Sequence, residues 1–209
     1  MNLKRRDCPI KAVIEPLGAG LLAVAFDFGD KKLEYTPSAV TGAQFGEFVC
    51  ALYTLYCEGS NERFDGHDEW GAREYRTNSE HKIEATTVRV DWDGEGTELM
   101  LEMTKKPDGS TILLRTSADY GRTYREYTAD DRDFCYAVAK ACTEAIKQFG
   151  FYGYHYSTES QPIDIYQLLF LKAYALGNME ARELTEVDAV LDCCKSSFEK
   201  EMELLLFDM

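Results

Sequence analysis

Residues 83–116 read IEATTVRVDWDGEGTELMLEMTKKPDGSTILLRT. Val88, Val90 and Trp92 fall at alternate positions, and so do Leu99, Leu101 and Met103. Alternate residues of an extended chain share one face, so each set predicts a strand with one apolar side. Asp93-Gly94-Glu95-Gly96 separates the first two strands, and Pro107-Asp108-Gly109 separates the second from the third. Proline presets φ and glycine accepts positive φ, which makes the latter a strong turn signal. The stretch predicts strands from Ile83 to Trp92, Leu99 to Thr104 and Thr111 to Thr116, joined as an antiparallel meander.

The same alternation extends outward on both sides. Glu74 to Thr77 precedes the meander, and Tyr120 to Tyr127 is the candidate for one more strand. Near the N-terminus, Lys11 to Pro16 and Leu21 to Phe28 read as two strands joined by Leu17-Gly18-Ala19-Gly20. Thr41 to Glu58 has a different period. Phe45, Phe48, Val49, Leu52, Leu55 and Tyr56 follow the i, i+3, i+4 rule of a helix, closed by Gly59. Cys50, Tyr53 and Cys57 lie off that stripe, leaving only Glu47, Thr54 and Glu58 as a polar strip. A strip this narrow predicts a helix covered on more than one side.

Beyond the meander the period is helical. Asp130 to Phe149 carries Phe134, Val138, Ala141, Cys142, Ala145 and Phe149 on one face. Thr128 is the expected cap, Asp130, Asp131 and Asp133 suit the positive end of the helix dipole, and Gly150 closes it. A further helix is expected from Pro162 to Leu176, and a last one from Glu183 to Phe207 with Leu184, Val187, Leu191, Cys194, Phe198 and Leu205 as its stripe. The expected architecture is α+β: a meandering antiparallel sheet with one early helix and three C-terminal helices. It is expected as a single domain, residues 1–128 mostly sheet and residues 129–209 a helical part packing on it.

Composition limits the function classes. The 209 residues are 45% hydrophobic, enough for a sizeable core, and carry a net charge of −14. Residues 1–60 hold 6 basic and 7 acidic side chains, while residues 151–209 hold 4 and 11. Such a surface repels nucleic acid and anionic lipid and attracts basic partners, although solubility alone explains it as well. Seven cysteines form no disulfide framework: Cys50 and Cys57, like Cys135 and Cys142, are seven residues apart on one helix face. Reduced thiols point to a reducing, cytoplasmic setting. Lys4, Arg5 and Arg6 precede an apolar region, but Asp7, Lys11 and Glu15 interrupt it, so it does not read as a leader. No apolar run approaches the length of a membrane span.

Catalytic signatures are missing. There is no Gly-x-Ser-x-Gly elbow, no Walker loop and no Gly-x-Gly-x-x-Gly, and no cofactor is expected. Asp91, Asp93, Glu95, Gly96 and Glu102 have the spacing of an EF-hand calcium loop, which needs alternating oxygen ligands, a sharp turn and a final Glu. Strand-like flanks and a long side chain at the fifth position favour an acidic hairpin instead. Asp65, His67, Asp68 and Glu69 combine a histidine with carboxylates, a set able to bind a transition metal or move protons. An exposed polar loop explains them as well. Tyr152, Tyr154, His155 and Tyr156 are expected in an aromatic-rich loop between two helices, with Gly150 and Gly153, either a packed joint of those helices or a binding surface. Cys193-Cys194 is expected to sit mid-helix as core packing, Cys193 partly exposed.

Three functional expectations follow. The first is a non-catalytic acidic binding protein, of the bacterial immunity-protein kind, that masks a basic toxin or nuclease. The second is an enzyme with its site at residues 65–70. The third is a homo-oligomeric scaffold pairing through an open sheet face and the last helix.

Overall fold

The computed structural model describes residues 3–36, 44–56, 72–77, 83–93, 98–119, 121–158, 162–179, 184–188 and 193–209. Within them the period-two stretches are strands, and the fold is α+β with antiparallel sheets. The meander resolves into separate sheets. Strands β1 (Lys11–Gly18), β2 (Leu21–Asp27) and β3 (Lys32–Tyr35) form a three-stranded sheet in sequence order. Strands β4 (Ala72–Thr77), β5 (Ile83–Asp93), β6 (Glu98–Lys105), β7 (Thr111–Ser117) and β8 (Arg125–Asp130) form a five-stranded one, also in sequence order. β3 was not foreseen from the sequence, and the last strand of the second sheet begins five residues later than expected.

The β1–β2 turn has positive φ at Ala19 (51°) and Gly20 (76°), which matches the right-handed strand twist. On β2, Leu22, Val24 and Phe26 face inward, opposite Pro16, Ile14 and Ala12. In the larger sheet the two predicted apolar sets are direct cross-strand partners: Val88 with Met103, Val90 with Leu101, Trp92 with Leu99. All six are buried.

Helix α1 (Gln44–Tyr56) packs on β5, and its whole predicted stripe is buried. Helix α2 (Asp131–Thr158) packs on β1 and on helix α3 (Ile165–Leu176). Four rings tie the layers together. Phe26 of β2 lies 5.4 Å from Phe134 of α2 and 5.8 Å from Phe48 of α1, and Phe48 meets Trp92 of β5 at 5.4 Å. One buried cluster therefore draws on both sheets and on α1, α2 and α3.

Three boundaries differ from expectation. Thr128 does not cap α2, because it sits in β8 opposite Leu113; the Asp130 carboxylate takes the role, accepting from the Asp133 N–H at 3.0 Å. Helix α3 starts at Ile165 with Asp164 as cap, since the Asp164 carboxylate accepts from the Tyr166 and Gln167 N–H groups. Pro162 instead lies against Gly46 of α1, where a Cβ would come 3.0 Å from the Pro162 carbonyl oxygen. The long last helix is not formed. Its first part is a hairpin of β9 (Leu184–Asp188) and β10 (Cys193–Ser196), so Cys193 and Cys194 are on a strand. Only α4 (Phe198–Leu206) is helical, capped by Ser197. Thr185, Val187, the paired cysteines and the serines are poor helix formers, whereas the sequence after Ser197 is rich in Glu, Lys, Met and Leu.

Candidate functional site

Gly150 breaks α2 with φ 70° and ψ 162°, a region that glycine alone occupies readily. The residues beyond it continue as helix, so the segment expected as an aromatic loop is helical. This splits its side chains by face. Tyr154 and Thr158 turn inward, with Tyr154 only 3% exposed. Burial pushes the Tyr154 phenol above its ordinary pKa, helped by Cys142. Phe151, Tyr152, His155 and Tyr156 turn outward. Tyr152 and Tyr156 are 81% and 75% exposed, and their rings stack at 6.4 Å with 22° between planes. The predicted set of four thus becomes one anchor, Tyr154, and three presented side chains.

The acidic hairpin is laid out quite differently. Asp91 of β5 pairs with Met100 and Glu102 of β6 pairs with Arg89, two cross-strand rows apart within the ladder. The Arg89 guanidinium donates to both Asp91 oxygens at 2.8 and 3.0 Å. Glu102 belongs to a row running Arg89, Glu102, Arg115, Glu126 across four strands, with Arg115 3.5 Å from Glu102 and 3.1 Å from Glu126. Alternating charges on a solvated sheet face neutralise one another. Asp93 ends β5, and Glu95 lies outside the described residues, as do Asp65, His67, Asp68 and Glu69. Among the described residues no three His, Cys, Asp or Glu side chains are grouped to hold a metal ion.

Two buried polar constellations escaped the sequence reading. In the first, Tyr174 of α3 donates to the buried Asp131 carboxylate at 2.6 Å, and its ring packs 4.7 Å from that of Tyr56. The Tyr56 hydroxyl is buried and, among the described residues, has no hydrogen-bond partner. Its pKa is driven far up by burial, then by the nearby Cys135, Asp131 and Tyr174. Lys105 lies 5.6 Å above the Tyr56 ring and Arg132 5.8 Å above that of Tyr174. In the second, the fully buried Lys172 donates its ammonium to the carbonyls of Leu205 and Phe207, each at 2.9 Å, pinning the end of α4. A lone lysine inside the apolar run Leu168 to Ala175 was the available signal for it.

The Cys8, Cys135 and Cys142 thiols are poor nucleophiles. Burial pushes Cys142 up to about 12, raises Cys135 well above its ordinary value, and raises Cys8 as well. A thiol held protonated does not attack. Cys8, Cys50, Cys135 and Cys142 are all unbridged. Among the described residues no helix is long and apolar enough to cross a membrane. Comparison with family models, with curated proteins and with solved structures finds no match to this chain.

Proposed function

We propose that this chain is a non-catalytic binding protein that uses its acidic surface to meet a basic partner protein and the outward face of α2 to anchor it. The observation that carries the reading is the stacked, outward pair Tyr152 and Tyr156 on a chain of net charge −14. Stacking holds both rings in place before any encounter, which lowers the entropy lost on binding. Tyrosine supplies a large apolar face with a polar tip, a common composition of interface hot spots. Residues 151–209, which include this face, carry 11 acidic against 4 basic side chains. Such a field speeds encounter with a basic protein and imitates nucleic-acid phosphates. A neutralising partner of a basic toxin or nuclease is the specific form proposed. The test is affinity capture from the native host at low and high salt, with mass spectrometry of what is retained. A basic protein held at low salt and shed at high salt is expected; retention indifferent to salt, or none at all, contradicts the reading.

A further inference from the structure

We infer that two copies of this chain pair edge to edge through β1, antiparallel about Val13, to make a continuous six-stranded sheet. In the three-stranded sheet β2 is central, which leaves the outer edges of β1 and β3. The β3 edge is occupied at its start: the Tyr127 hydroxyl donates to the Lys32 carbonyl at 3.2 Å, and Lys31, just before the strand, donates to the Glu126 carbonyl at 3.1 Å. Among the described residues no strand pairs with the outer edge of β1. An unpaired edge presents a row of backbone donors and acceptors that a second strand completes.

The side chains on that edge select the occupant. Lys11, Val13 and Glu15 share the outward face of β1, and all three are exposed, Val13 by 53%. Neither Lys11 nor Glu15 has an ion-pair partner among the described residues. Antiparallel pairing centred on Val13 sets Lys11 of each copy opposite Glu15 of the other and Val13 opposite Val13. The strand is therefore complementary to itself, as an isologous interface requires. Pro16, with no N–H to give, limits the new ladder to Lys11–Glu15. Long-range charge agrees. Residues 1–60 carry 6 basic and 7 acidic side chains, so this is the part of an acidic chain where two copies repel least.

Sedimentation velocity over a concentration series, with the full chain and three variants, tests the pairing. Lys11→Glu and Glu15→Lys each turn two symmetry-related attractions into repulsions, and each is expected to weaken dimerisation about tenfold. The swap Lys11→Glu/Glu15→Lys restores both attractions and should return to within about threefold of the original. These positions are exposed, and unchanged circular dichroism of each variant checks that it folds. A chain that stays monomeric throughout, a dimer indifferent to the single reversals, or a swap that fails to rescue them overturns the inference.

Discussion

Hydrogen bonding separates two tyrosines that touch. Tyr174 gives its hydroxyl to the buried Asp131 carboxylate, whereas the Tyr56 hydroxyl has no partner among the described residues. Removing a donor from a buried charge costs more than removing a hydroxyl that bonds nothing. Tyr174→Phe is expected to lose roughly 1–3 kcal/mol in urea unfolding, and Tyr56→Phe to be neutral or to gain about 1 kcal/mol. A large loss from Tyr56→Phe would show that its hydroxyl has a bonding role in the native protein. Lys172 gives a pH signature. Burial, with Lys147 adding to it and Asp208 opposing, brings its pKa down to about 8, while an unfolded lysine titrates near 10.4. Between those values the unfolded chain binds more protons, so this group's contribution to stability rises with pH, and its burial penalty is full below about pH 8. The raised pKa values of Cys135 and Cys142 act in the opposite sense. The quantity to measure is therefore the difference between wild type and Lys172→Met. Wild type should gain on the variant as pH rises from about 8 to 10, and a flat difference contradicts the assignment. Lys172 stood out as a lone lysine in an apolar run, but the partners in both constellations were not legible, because each joins residues far apart in the chain; Tyr174 and Asp131 are 43 residues apart.

Elements were read best where one period ran unbroken. The stripe of α1 lies where the helical period placed it, and the paired apolar faces of β5 and β6 lie where alternation placed them. The hairpin of β9 and β10 was misread because Leu184, Val187, Leu191 and Cys194 suit helical spacing as well as short strands. Local propensity decided in favour of strands, through Thr185, Val187 and the adjacent cysteines. The aromatic segment was taken for a loop because Gly150 and Gly153 look alike in sequence. Their conformations differ: φ is 70° at Gly150, while Gly153 has helical backbone, where a Cβ would make an ordinary 3.9 Å contact with the Phe149 Cβ. Gly150→Ala is expected to cost roughly 1–3 kcal/mol despite having room for a methyl group, because its backbone position strains any Cβ. Gly153→Ala should stabilise by up to about 1 kcal/mol through helix propensity. Thermal melts of the two variants check this opposition, and equal effects would remove the distinction.

At the scale of the molecule, the rings of Phe26, Phe48, Phe134 and Trp92 join both sheets to α1 and α2. Truncating the middle of that group should loosen everything together. Phe48→Ala is expected to cost about 3–5 kcal/mol, with Trp fluorescence and far-ultraviolet circular dichroism moving in one shared transition. Separate transitions would mean that the sheets unfold independently. The overall class and the early helix were legible because hydrophobic period reports which face is buried. A binding surface leaves a fainter mark: Tyr152 and Tyr154 differ in sequence only by position, yet one is 81% exposed and the other 3%. The central claim is that this outward aromatic face anchors a basic partner. The most direct measurement captures binding proteins from the native host with wild type and with Tyr152→Ala/Tyr156→Ala in parallel, at low and at high salt. A basic protein retained by wild type at low salt, released by high salt, and retained at least about tenfold less by the double variant is the predicted result. Equal retention by both chains, or retention that salt does not disturb, would contradict it.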